Sequence, residues 1–210
     1  MGGFFGAVSK HEAISDVFFG TDYHSHLGTR RGGMAAYDRE IGLQRDIHNI
    51  QNTNFRTKFD NIFDEMFGNS AIGVISDSDP QPLLIRGKSG TYAIATVGKI
   101  NNSEELIEKY LEGGGHFGVM TSGKVNSTDL VAALINQKED IVEGIKFAND
   151  VIDGTASILI LKDGGNIIEI PFFRALRRMS CMTYNRSYII CMIKLNIRSG
   201  FSLLKNLYFS

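Results

Sequence analysis

What most narrows the folds open to this chain is the order in which its periodicities change. Phe4-Phe5-Gly6-Ala7-Val8-Ser9 is an apolar run too short for a helix, and Ala71 to Ser76 and Thr91 to Gly98 are further short runs bounded by Gly, Ser or Asp. Such runs read as strands, and Asp77-Ser78-Asp79-Pro80 between the last two reads as a turn. The spacing then becomes helical. Asn102 with Glu105 three residues later is a capping-box pattern, and Leu106, Ile107, Tyr110 and Leu111 recur one helical turn apart. A second helix is expected from about Thr128, with Leu130, Val131, Leu134 and Ile135 on one side. A third follows Glu139, and His11 to Phe19 is an earlier candidate. Ala156 to Leu161 returns to an apolar strand and closes on Asp163-Gly164, a hairpin signal. Strands, then helices, then strands predict a layered α+β domain rather than a doubly wound parallel sheet.

Composition sets the outer limits. A chain of 210 residues, 43% of them apolar, holds enough core for one sizeable domain and is not charge-rich enough to stay disordered. A formal charge of −1 gives no global drive toward nucleic acid or anionic lipid. No apolar run approaches the roughly 20 residues of a membrane span. Two cysteines, Cys181 and Cys191, and no secretory h-region after Met1 point to a reducing, cytoplasmic setting.

The near-neutral total hides an asymmetry. Residues 166–210 carry Arg174, Arg177, Arg178, Arg186, Lys194, Arg198 and Lys205 against the single acid Glu169, a charge of +6 that leaves −7 on the first 165 residues. The chain therefore divides into a domain over 1–165 and an atypical basic segment over 166–210. That segment reads as a docking arm, as a last layer of the fold, or as sequence from a shifted frame. Its apolar run Ile189 to Ile197 is expected to pack as an added strand or helix against the first 165 residues.

The usual catalytic patterns are thin. Neither cysteine has a histidine near it in sequence, and His24 and His26, with Asp22 and His48 nearby, lack the paired cysteines or His-Glu-x-x-His helix that would assign a metal. Gly113-Gly114-Gly115 follows a helix instead of opening one, so it reads as a helix stop and not a phosphate cradle. No cofactor is implied.

Five ordered segments say more together than any one alone: Gly2-Gly3-Phe4-Phe5-Gly6; His26-Leu27-Gly28-Thr29-Arg30-Arg31-Gly32-Gly33-Met34-Ala35; Gly73-Val74-Ile75-Ser76-Asp77 followed by Pro80-Gln81-Pro82; Thr96-Val97-Gly98-Lys99-Ile100-Asn101-Asn102; and Asn126-Ser127-Thr128-Asp129. In order and spacing they resemble the class II glutamine amidotransferase domain of amidophosphoribosyltransferases, over about residues 2–165. The resemblance implies a four-layer αββα sandwich of the N-terminal-nucleophile (Ntn) hydrolase type, truncated on its C-terminal side. Ile167-Ile168-Glu169-Ile170-Pro171 stands where the family has an Arg-Asp-x-x-Gly-Arg turn, and no phosphoribosyltransferase domain follows.

In that family a cysteine after the initiator Met attacks glutamine, with its own α-amine as base. The positions matching the glutaminase machinery all depart from it. Gly2 stands at the nucleophile and Ser76 at the arginine that grips the glutamine carboxylate. Ser127, or Asn126 if the register shifts by one, stands at the aspartate that holds the glutamine amine. Val97 stands at the oxyanion asparagine, with Gly98 retained. By contrast Gly6, Gly28, Gly33, Gly73, Gln81, Pro82 and the Asn102 cap keep the scaffold pattern.

The resemblance implies a catalytically degenerate domain of purine biosynthesis, with no catalytic or substrate-binding residue retained, that self-associates or works beside a phosphoribosyltransferase domain. Two other readings stay open: a non-enzymatic binding or regulatory module, and a hydrolase or transferase using a substitute nucleophile such as Ser9 or Thr21.

Overall fold

The computed structural model describes residues 2–170, 179–184 and 187–192. In chain order, β1 (Gly2–Val8) leads into α1 (Ile14–Tyr23), and a hairpin of β2 (Arg31–Asp38) and β3 (Gly42–Asn49) follows. Two single-turn helices, α2 (Phe55–Lys58) and α3 (Ile62–Glu65), precede β4 (Ser70–Ser76), β5 (Leu83–Gly87) and β6 (Gly90–Ile100). Then come α4 (Ser103–Glu112), the short ribbon β7 (Met120–Thr121) and β8 (Lys124–Val125), α5 (Ser127–Ile135) and α6 (Ile141–Val151). The last described elements are β9 (Gly154–Lys162), β10 (Ile167–Ile170), β11 (Met179–Tyr184) and β12 (Ser187–Met192).

The strands form two antiparallel sheets, ordered β11-β12-β1-β4-β2-β3 and β10-β9-β6-β5. Side chains alternate across a strand, so each apolar strand feeds two interfaces. Phe4, Ala35, Ile72 and Val74 of the larger sheet meet Ala93, Ala95, Val97, Leu159 and Leu161 of the smaller one. Their neighbours Phe5, Ala7, Met34, Ala36 and Ile75 face outward onto Ile14, Val17 and Phe18 of α1 and onto Phe55, Phe59 and Ile62. On the other side Tyr92, Ile94, Ile158 and Ile160 pack under Leu106, Leu130, Leu134 and Ile145 of α4, α5 and α6. Three cores separate four layers, the αββα arrangement expected.

The strands and helices read from the sequence after residue 70 recur with shifts of a residue or two. The first helix begins later than His11, because the Ala13 amide donates to the Gly68 carbonyl (2.9 Å) and Ser9 N to Asn69 O (2.7 Å), which holds residues 9–13 against a loop. It then runs on to Tyr23. Asn102 does occupy the N-cap position of α4, but its side chain does not cap that helix. It donates to Val151 O and accepts from Asp153 N, both at 2.9 Å, so it ties the start of α4 to the end of α6.

From the basic segment, β10 pairs with β9 and β12 pairs with β1, Phe4 opposite Met192 and Gly6 opposite Ile190. Ile189 to Met192 of the apolar run thus lie in an added strand. The rest of that run, and Arg177-Arg178, lie outside the described residues.

Candidate functional site

At one end of the sandwich the start of β1, the ends of β4 and β6 and the first turn of α5 converge on a cavity of about 430 Å³. Gly2, Ser76, Val97, Gly98 and Ser127 all line it. Antiparallel pairing places Gly2 opposite Ser76, which accounts for two positions so far apart in sequence meeting. Ser127 lines the wall, whereas Asn126 is the cap of α5 and accepts from the Thr128 and Asp129 amides. Of the two candidate positions, Ser127 is the one that lines the cavity.

Gly98 shows why this end of β6 is open. The Gln81 carboxamide behaves like a strand edge: Oε1 accepts from Thr96 N at 2.8 Å and Nε2 donates to Thr96 O at 2.9 Å. Thr96 therefore turns its backbone groups away from β9. The backbone alternates with period two, so Gly98 turns its N–H and C=O the same way, into the cavity. Glycine is required there, since a Cβ on Gly98 would sit 1.8 Å from the Thr155 carbonyl oxygen. At the other side of the loop, a Cβ on Gly33 would lie 2.0 Å from Gln81 O.

The loop over residues 77–82 is fixed from three directions. Asp77 Oδ1 accepts from Thr29 N (2.8 Å) and Thr29 Oγ1 (3.3 Å), Asp79 Oδ2 from Ser127 N (3.0 Å), and Pro80 O from Asn126 Nδ2 (3.1 Å). Thr128 Oγ1 donates to Gln81 Oε1 at 2.9 Å and lies 2.7 Å from Thr96 Oγ1. Asp79, Thr96 and Thr128 are neighbours of the cavity to which sequence reasoning gave no role. Their roles depend on three segments meeting, and no local spacing signals that.

Ser9 and Thr21 do not reach this cavity. Thr21, on α1, is fully buried against β4, where a Cβ on Gly73 would strike its hydroxyl, and the Ser9 hydroxyl accepts from His11 N. Neither is placed to act as a nucleophile in this cavity.

The histidine cluster also disperses. His26 Nδ1 lies 2.9 Å from Tyr23 O, His48 Nε2 2.7 Å from Asp46 Oδ2, and Asp22 takes Arg56 Nη2 at 2.6 Å. His24 is buried between the rings of Phe5 and Tyr23. Burial, and then the nearby His26, hold its imidazolium below the ordinary value of 6.5. The folded state thus prefers neutral His24, so its stabilisation is complete above that value and is lost as pH falls below it toward the lowered folded value. The thermal midpoint is expected to drop between about pH 7.5 and about pH 5.5, and His24→Gln to shrink that drop. An undiminished drop in the variant would remove His24 as its source.

No protein-family profile matches the chain. Among curated proteins it is 29% identical over 171 residues to the amidophosphoribosyltransferase of Methanocaldococcus jannaschii, covering 77% of this chain and 36% of that protein. It is 25% identical over 174 residues to that of Methanothermobacter thermautotrophicus, covering 76% and 34%. The chain thus spans about a third of the length of these relatives. Among solved structures, the Bacillus subtilis glutamine phosphoribosylpyrophosphate amidotransferase, complexed with ADP and GMP, superposes with a TM-score of 0.77 at 23% identity, covering 90% of this chain and 41% of that one. A glutamine aminotransferase class-II domain protein from Silicibacter pomeroyi gives 0.52 at 10% identity, covering 90% and 87%.

The fold is that of the Ntn-type class II glutamine amidotransferase domain. Among proteins with that domain, the chain resembles the amidophosphoribosyltransferases.

Proposed function

We propose that this chain is a class II amidotransferase-like domain without glutaminase action, a cytoplasmic binding or regulatory unit that works beside a phosphoribosyltransferase unit in the purine-building chemistry of its relatives. The observation that carries this reading is the start of β1. Gly2 faces the cavity with no side chain to attack an amide, and a Cβ built there would lie 2.6 Å from the Ile75 carbonyl oxygen. Ser76 and Ser127 offer hydroxyls where a glutamine carboxylate and ammonium need charges, and Val97 offers no donor. The Gly98 N–H stabilises no oxyanion when nothing attacks to form one. Among the described residues no helix is long and apolar enough to cross a membrane.

Glutamate release from glutamine is expected to stay at the level of a heat-killed control. Gly2→Cys alone is not expected to raise it, because the new side chain meets the Ile75 carbonyl and the substrate's charged ends stay unmatched. Turnover above the control by the unmodified chain would overturn the reading.

A further inference from the structure

β3 ends the six-stranded sheet, and at eight residues it is the longest of the strands that end either large sheet. Among the described residues it pairs with β2 alone. Ile50 N donates to Arg30 O at 2.9 Å, and backbone groups alternate sides along a strand, so Gln44, Asp46 and His48 spend theirs on β2. Leu43, Arg45, Ile47 and Asn49 turn theirs outward, where among the described residues no hydrogen bond meets them. Such a row of donors and acceptors is a template for another strand. Proline and a bulge commonly block an edge, and β3 has no proline and keeps one unbroken register against β2.

The geometry points to a second copy of this chain as the occupant of that edge, added antiparallel across a two-fold axis at Ile47. Residues directly opposite in an antiparallel ladder turn their backbones the same way, so a two-fold pairing sets one residue opposite its own copy. Centring on Arg45 or Asp46 opposes like charges, centring on Gln44 pairs no opposite charges, and centring nearer either end shortens the ladder. With Ile47 at the axis, Ile47 meets the partner's Ile47, Arg45 meets the partner's Asn49, and Asp46 meets the partner's His48. Symmetry repeats the last pair. Asp46 Oδ2 and His48 Nε2 already lie 2.7 Å apart on one face of the strand, so the two pairs form a single cluster across the axis. They fall at the position without ladder hydrogen bonds, where opposite side chains come closest. Half-buried Ile47 gains on the partner the cover that its own sheet leaves incomplete. This contact is separate from the cavity and does not depend on how the cavity is read.

Sedimentation velocity on the full chain tests it. A single strand pair is a small interface, so half of the chains are expected to be dimeric at a concentration on the order of 100 µM. Residue-resolved hydrogen exchange then locates the contact. Between dilute protein and about 500 µM the Arg45, Ile47 and Asn49 amides should slow about threefold, following the dimeric fraction, while Leu43, beyond the paired stretch, stays fast. Ile47→Pro removes an outward N–H and no bond to β2, so it should fold and remain monomeric at about 500 µM. His48→Glu sets a second acid opposite the partner's Asp46 and should weaken association at least about fivefold. Adding Asp46→Lys restores the complement with its signs exchanged and should return the affinity to within about twofold of the unmodified chain. Should Ile47→Pro fail to fold, the exchange pattern and the charge exchange still decide. A chain that stays monomeric to about 500 µM overturns the inference. So does association that leaves the Arg45, Ile47 and Asn49 amides unprotected, which would assign it to another surface, or a charge-exchanged variant no better than His48→Glu alone.

Discussion

Gly98→Ala is expected to destabilise the domain by about 3 kcal/mol, on the scale of forcing atoms into a packed interior. The new methyl would lie 1.8 Å from Thr155 O and 2.6 Å from Ala156 Cα, both backbone atoms of β9. No rotamer relieves a backbone clash, so β6 and β9 must separate at the register Gly98 opposite Ala156. For a chain of this length that amounts to a fall of about 10 °C in the thermal midpoint. Gly118→Ala is the control. A Cβ there meets nothing within 4 Å, and the midpoint should stay within about 0.5 kcal/mol of the unmodified protein. Equal midpoints for the two variants would mean that the strands are not held as closely as described.

Gln81→Leu carries the other large effect. It keeps roughly the volume but strands Thr96 N and Thr96 O and leaves Thr128 Oγ1 with Thr96 Oγ1 alone, all in the interior behind the cavity. Each buried polar group stranded this way costs about 1–3 kcal/mol, so a total of about 4 kcal/mol is expected as a lower urea midpoint. Hydrogen exchange gives a local check, since the Thr96 amide should lose protection out of proportion to the global change. Gln81→Glu restores only the acceptor and should recover part of the loss. A Leu variant as stable as the parent would show that the carboxamide does not serve as a strand edge.

Much of this architecture was written in local pattern. Ala71 to Ser76, Thr91 to Gly98 and Ala156 to Leu161 are short and apolar because each is buried on two sides, and that is the condition under which a strand shows itself as a run. The β2–β3 hairpin left no comparable trace. β2 is built from Gly32, Gly33, Met34, Ala35 and Ala36, small because Phe55 and the Gln81 loop press against it, and β3 is an edge strand whose Gln44, Arg45, Asp46 and His48 are polar. Only the ordered match of His26 to Ala35 pointed there.

The cavity was legible to the same degree. The five positions matched by resemblance do converge, since Gly2, Ser76, Val97, Gly98 and Ser127 sit at strand and helix ends that the fold brings together. Asp79 and Thr128 escaped because a loop acid and a helical threonine are ordinary in sequence. They matter only through partners 48 and 47 residues away.

The loop over residues 77–82 is at once a wall of the cavity and part of the cap of α5, through Asp79 on Ser127 N and Pro80 on Asn126. That double duty sorts the surrounding positions by how freely a lineage can rewrite them. Asp79, Gln81, Thr96, Asn126 and Thr128 are bound to one another, so a change at any of them is felt as lost stability before it is felt as altered binding. The exposed Ser127 side chain lines the space without joining that network, and drift can exchange it at little cost to the frame. A pocket wired in this way keeps two evolutionary clocks: a slow one for the frame and a fast one for side chains that line the space without bracing it.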